Sequence, residues 1–203
     1  NPPLCKSSIR YHQVLEKPSE LNHTSENYMT PIKKKLLIDM DGVLADIYGQ
    51  FIKYEFNDIG LTQSLTDLTG KLEREAFKYH DKYVNSENFF YSAIPIEDSI
   101  ETVRRLNDVY EVYIVSSAMQ FPLSLTEKIN WLTKHFPFLS WKQIVFCGTK
   151  EIVYGDIMID DHFKNLDTFQ GQTILFTQPH NVGKPTDNHK RVNNWKEIET
   201  ILL

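Results

Sequence analysis

The chain has 203 residues, 41% of them hydrophobic and 24% charged, with 8 glycines and 9 prolines, which excludes a stapled mini-protein, a collagen, a coiled coil and a wholly disordered chain and leaves a globular domain carrying an insertion. Twenty-two basic against 27 acidic side chains give a formal charge of -5, so the expected partner is a small molecule rather than a nucleic acid polymer, with room for a local basic pocket that takes one phosphate. No run approaches the ~18 apolar residues that cross a bilayer, so no membrane partner is expected, and Asn1 to Lys35 lacks the apolar core of a secretory signal, which makes a cytoplasmic protein the default.

Residues 1–30 mix Pro2, Pro3, Pro18, Ser7, Ser8 and Asn22 with scattered apolar side chains and hold no sustained period. They read as an N-terminal arm or a segment of foreign origin, with Met29 a candidate start. The run Lys35-Leu-Leu-Ile-Asp39 then predicts a buried strand of a parallel sheet. Helical patterns at Tyr48 to Phe56 and Lys71 to Val84, with the breakers Gly60 and Gly70, follow before a helix that opens near Glu97. That stretch is too long for one crossover and predicts a small helical cap at 47–92, inserted after strand 1. Strand-like runs at Val112 to Ser116, Gln143 to Cys147, Ile157 to Asp160 and Thr173 to Thr177 intervene with helical patterns at Ile96 to Asp108 and Leu125 to His135. The alternation predicts an α/β fold, a three-layer Rossmann-like parallel sheet core made of 31–46 and 93–203. Cys5 and Cys147 are too few and too far apart for a disulfide framework or a Cys-x-x-Cys metal site.

Ligands of open parallel sheets bind at the carboxyl ends of the strands, and three of the predicted strands end in polar groups. Strand 1 ends in Asp39-Met-Asp41-Gly42, another in Ser116-Ser117 and another in Asp160-Asp161. Taken singly, Asp-x-Asp-Gly is a turn signature and Asp160-Asp161 or Ser116-Ser117 a helix cap. Four carboxylates meeting in one crevice repel each other unless a cation sits among them, and a hard divalent ion such as Mg²⁺ suits oxygen ligands. The two serine hydroxyls can donate to phosphate oxygens, and Lys150 adds a positive charge that does not titrate near neutrality. Together these groups describe a phosphate site beside a metal.

The pattern resembles the haloacid dehalogenase-like phosphohydrolases: Asp39-Met-Asp41-Gly-Val, Ser116 closing an apolar strand, Lys150, and Gly155-Asp-Ile-Met-Ile-Asp160-Asp161 appear in that family's order. The resemblance implies Asp39 as nucleophile, forming an aspartyl-phosphate, and Asp41 as acid and then base. It implies Mg²⁺ held by Asp39, the Asp41 carbonyl and one of Asp160 and Asp161, with Ser116 and Lys150 on the phosphate. Within the family, Asp39-Met-Asp-Gly-Val-Leu-Ala-Asp46, Asn88-Phe-Phe-Tyr91 before Pro95, Glu127-Lys128 ahead of Trp131, and Trp195-Lys196 are similar to the 5'(3')-deoxyribonucleotidases. That likeness implies Ser117 and Lys128 as further phosphate contacts, with Phe89 and Phe90 shaping a nucleoside pocket in which a base stacks for ~1–3 kcal/mol; aromatic residues at such a junction are equally at home in the core. It implies a deoxynucleoside monophosphate as substrate and leaves room for a homodimer. His162 stands where these enzymes often carry arginine. A sugar-phosphate or phosphoglycolate phosphatase of the same superfamily is the alternative, and a non-catalytic regulatory domain is a further one against which the intact pair Asp39 and Asp41 argues.

Overall fold

A computed structural model describes residues 32–203; the arm expected over 1–30 and Met29 lie outside the described residues. Six strands form one parallel sheet: β1 (Lys35–Ile38), β2 (Glu111–Ser116), β3 (Ile144–Phe146), β4 (Ile157–Asp160), β5 (Gln172–Phe176) and β6 (Lys190–Val192), in the order β3-β2-β1-β4-β5-β6. The central strands β1 and β4 carry side chains buried on both faces, which is why they read as continuous apolar runs without alternation. Leu36 and Ile38 face the larger core, while Leu37 joins Val115, Met158 and Leu175 on the opposite face. Each such aliphatic side chain contributes about 1.5–3 kcal/mol by leaving water.

Helices α4 (Ser99–Val109), α5 (Ser124–His135), α6 (Phe163–Leu166) and α7 (Trp195–Leu202) accompany the sheet, and the stretch between β1 and α4 holds α1 (Ile47–Ile59), α2 (Glu73–Ala76) and α3 (His80–Val84). The chain leaves for this helical insertion and returns at adjoining points: Asp46 N–H donates to Ile94 O and Ile96 N–H to Leu44 O. Because Ile96 is engaged there, α4 opens at Ser99 rather than at Ile96, after Asp98 in the left-handed region. The helix expected over Lys71 to Val84 is two short ones, because Phe77 takes an extended conformation and buries its ring against Phe51, centroids 4.8 Å apart.

Three of these elements, α6, β6 and α7, lie outside the sequence expectations. β6 is a three-residue edge strand, Lys-Arg-Val, too short and polar to show an apolar run. α7 buries Trp195, Ile198 and Leu202 at helical spacing and is capped by Asn194, whose side chain accepts from Glu197 N–H. No helix among the described residues is long and apolar enough to cross a membrane.

Candidate active site

The strand order changes direction at β1 and β4, since β2 and β3 extend to one side of β1 and β5 and β6 to the other side of β4. That switch point is where an open parallel sheet leaves a crevice. Asp39 follows β1 and is locked to β4 by its N–H, which donates to Ile159 O at 2.9 Å. Gly42 turns the chain away with φ 77°, and a side chain there would collide with Asp161, so glycine is required both by conformation and by the approach of β4.

Lys150, in a single 3-10 turn after β3, is buried with its ammonium between Asp39 Oδ1 and Asp160 Oδ2, the latter at 2.6 Å. Asp160 is fully engaged: it also accepts from His162 N–H at 2.9 Å and from Asn165 Nδ2 at 3.0 Å. Burial alone would raise its carboxyl, but Lys150, Asn165 and the His162 amide hold it below the ordinary value. Asp161 has no such company. Its Oδ1 is buried without a hydrogen-bond partner, and burial, then the charges of Asp39, Asp160 and Glu73, push the carboxyl well up. Asp39 is raised to about 7 by burial, partly offset by Lys150 and reinforced by Asp160 and Asp41.

Asp41 lies at the cavity wall with Lys128 paired to its Oδ2, while its Oδ1 is buried and unpartnered. The same ammonium donates to Ser116 Oγ at 3.0 Å and lies 4.7 Å from the centre of the Phe90 ring. A cavity of 390 Å³ gathers Asp39, Asp41, Ser116, Ser117, Lys128, Lys150, Phe89 and Phe90, and the insertion adds Phe51, Leu72, Glu73, Arg74, His80 and Val84. All ten side chains singled out from the sequence therefore meet in one place, with Asp160 and Asp161 beneath the cavity through their contacts to Lys150 and Asp39. Phe89 is wholly buried among Phe51, Tyr54 and Phe90, so most of its ring serves the core. A larger cavity of 660 Å³, bordered by Asp46, Thr66, Glu97, Gln178 and Asn194, contains none of the buried charges, which gather at the smaller one.

Asn165, Glu73 and His180 had no reading in the sequence, and Glu127 entered it only through the Glu127-Lys128 likeness, without a role. Glu127 accepts from the N–H groups of Asn88, Phe90 and Tyr91 at 2.6, 2.9 and 3.2 Å, which fixes the segment bearing Phe90 beside Lys128. Asn165 orients Asp160, and an amide four residues beyond an acidic pair at a helix start is the signal that could have shown it. Glu73 and His180 converge on Asp161 from distant segments with no local signal at all.

Asp39, Asp160 and Asp161 each offer an oxygen within 4.8 Å of the others. Three buried carboxylates against the single ammonium of Lys150, one with an orphaned oxygen, form an all-oxygen donor set that fits a hard divalent cation. Solved structures share the fold: a haloacid dehalogenase-like protein from Burkholderia xenovorans LB400 aligns over 84% of this chain and 97% of its own with a TM-score of 0.51 at 13% identity. A HAD family hydrolase from Deinococcus radiodurans R1, with bound phosphate and sodium, aligns over 84% and 95% with a TM-score of 0.50 at 17% identity. The sheet order is thus a fold shared with haloacid dehalogenase-like hydrolases. Residues 33–203 match the family described as 5' nucleotidase, deoxy (pyrimidine), cytosolic type C, and the chain belongs to that family. The 5'(3')-deoxyribonucleotidases of Bacillus subtilis (strain 168) and of Bacillus phage SPbeta are each 38% identical to it over 184 residues, covering 85% of this chain and all of theirs.

Proposed function

We propose that the protein hydrolyses deoxynucleoside 5'(3')-monophosphates through an aspartyl-phosphate on Asp39, with Mg²⁺ as cofactor and residues 47–92 acting as a cap over a core of 31–46 and 93–203. The observation that carries this reading is the pair of acids after β1, Asp39 against Lys150 and Asp41 against Lys128, on one wall of a cavity whose other wall is aromatic.

An oxygen of Asp39 attacks phosphorus while the ester P–O bond breaks, and Asp41 gives its proton to the departing alkoxide. Asp41 then takes a proton from water, the water oxygen attacks phosphorus, and the Asp39–phosphorus bond breaks to free phosphate. Two easier displacements replace one difficult one. Ser116, Ser117, Lys128 and Lys150 orient the phosphate oxygens and balance their charge as the transition state forms. Mg²⁺, when bound, neutralises phosphate charge next to the nucleophile. The Asp39 carboxylate, the Asp41 carbonyl and Asp161 would hold it; Asp160 is the weaker candidate because both its oxygens are already taken.

A panel of phosphomonoesters assayed with Mg²⁺ and with EDTA tests the proposal. Deoxyuridine and thymidine monophosphates should turn over at least about tenfold more efficiently than sugar phosphates or phosphoglycolate, and EDTA should abolish activity. Equal turnover of a sugar phosphate would overturn the substrate assignment, and undiminished activity in EDTA the cofactor assignment.

A further inference from the structure

We infer that His180 and Asn181 are positioning residues: together they hold the main chain of Asp161 so that its carboxylate faces the cation, and His180 ties that hold to the docked insertion. The inference rests on the proposed Mg²⁺ with Asp161 among its ligands, and it names the groups outside the ligand set that aim one of them.

Asp161 is the ligand that does not fix its own direction. Its Oδ1 is buried without a partner, and its Oδ2 stands 3.9 Å from His180 Nε2 and 4.0 Å from His162 Nε2, beyond hydrogen-bond reach. Asp160, by contrast, is held at both oxygens by Lys150, Asn165 and the His162 amide. Ligating carboxylates are ordinarily oriented by hydrogen bonds from outside the ligand set, so at Asp161 the orientation has to come from the backbone.

That backbone is gripped twice. His180 Nε2–H donates to Asp161 O at 2.9 Å and Asn181 Nδ2 donates to the same oxygen at 2.8 Å, which uses both lone pairs of one carbonyl from two buried side chains. The Asn181 amide also donates to Phe176 O at 2.8 Å, so it spans the paired ends of β4 and β5. Its Oδ1 accepts from Gln178 N–H at 3.2 Å and Arg191 Nη1 at 2.9 Å. Two donor and two acceptor positions are then filled, and the amide has a single orientation.

The same turn reaches the insertion and the bend after β1. Pro179 O accepts from Gly70 N–H at 2.8 Å, and His180 Nδ1 lies 3.2 Å from the hydroxyl of Tyr48 on α1, the two rings stacked with centroids 6.1 Å apart. Gln178 Nε2 donates to Gly42 O at 2.5 Å. Four consecutive residues, Gln178 to Asn181, therefore brace the turn after Asp39, the insertion and the end of β4 against one another. None of the four borders the 390 Å³ cavity, so they act through Asp161 rather than by touching a substrate.

Mg²⁺ titrated calorimetrically into the full chain and into two His180 variants separates the N–H from the bulk of the ring. His180→Phe keeps a ring and loses the donor, whereas His180→Gln loses the ring and keeps an amide N–H close to the place of Nε2. His180→Phe should weaken Mg²⁺ by at least about tenfold and His180→Gln by no more than about threefold, with the Mg²⁺ concentration for half-maximal hydrolysis moving in the same order and circular dichroism showing both folded. Packing alone predicts the reverse order, since phenylalanine fills the site better. Tyr48→Phe, which removes only the hydroxyl facing Nδ1, is a milder variant and should weaken Mg²⁺ about threefold. Parental affinity in His180→Phe or Tyr48→Phe, or equal losses in His180→Phe and His180→Gln, would overturn the inference and leave the cofactor assignment standing; a parent chain that binds no Mg²⁺ would overturn both.

Discussion

On the sheet side of the cavity Asp39, Asp160, Asp161 and Lys150 are all buried, whereas the insertion lines it with the buried rings of Phe51, Phe89 and Phe90, Phe51 backed by Phe77. The insertion keeps its ion pairs, Arg74 with Asp81 and Lys82 with Asp58, at the surface. A buried charge deprived of its partner costs several kcal/mol, so the floor has to be held by strands locked in register and by side chains such as Asn165, whose amide donates to both oxygens of Asp160. Ring contacts are softer in direction, and an aromatic wall changes shape at small cost. On the proposed function, the chemistry falls to the strand ends and selectivity to the ring contacts.

Asp39→Asn should break the floor's function without breaking the floor. The amide matches the carboxylate in volume but cannot attack phosphorus, so turnover is expected to fall at least ~10³-fold while circular dichroism shows the fold retained; activity within about tenfold of the parent would place the nucleophile elsewhere. Lys150→Met sharpens the contrast between the walls. In metal-free buffer it leaves buried carboxylates uncompensated and should cost about 3–5 kcal/mol in urea unfolding. Lys82→Met, which removes an ammonium from a pair whose side chains are 58% and 27% exposed, should cost about 0–1 kcal/mol. Similar losses would show that burial of charge does not distinguish the two sides.

The same contrast explains what the sequence discloses. The floor was legible because apolar runs mark β1, β2 and β4, and polar residues directly after such runs must lie at the carboxyl edge; Asp39, Ser116 and Asp160 follow from that alone. The insertion was legible as helical but not in its breaks, because Phe77 leaves helical geometry for a contact with Phe51, 26 residues away in the chain. Glu127 stood beside Asn88-Phe-Phe-Tyr91 in the family likeness, yet its role in holding those amides needs the packing of α5. β6 escaped because an edge strand of three residues has too few positions to show a pattern.

The contrast also shows in the floor's dependence on pH. Burial, partly offset by Lys150 and reinforced by Asp160 and Asp41, raises Asp39 from 3.8 to about 7. An acid whose folded value exceeds its unfolded value keeps a proton in the native state that the unfolded chain has already lost. Between about pH 4 and about pH 7 the native state thus binds more protons at this site, and Asp39 lowers the unfolding free energy progressively as pH rises; below the window both states are protonated, and above it the penalty is complete. Histidines held low by burial, such as His162 at about 3, act in the opposite direction over part of this range, so the informative quantity is the difference between Asp39→Asn and the parent, in which their contribution cancels. In EDTA the variant's urea midpoint should climb relative to the parent's across that window and then level, and saturating Mg²⁺ should flatten the difference by holding Asp39 as the anion. Parallel midpoints in EDTA would mean that Lys150 fully compensates Asp39, and the sheet side would then be as indifferent to charge as the aromatic wall opposite.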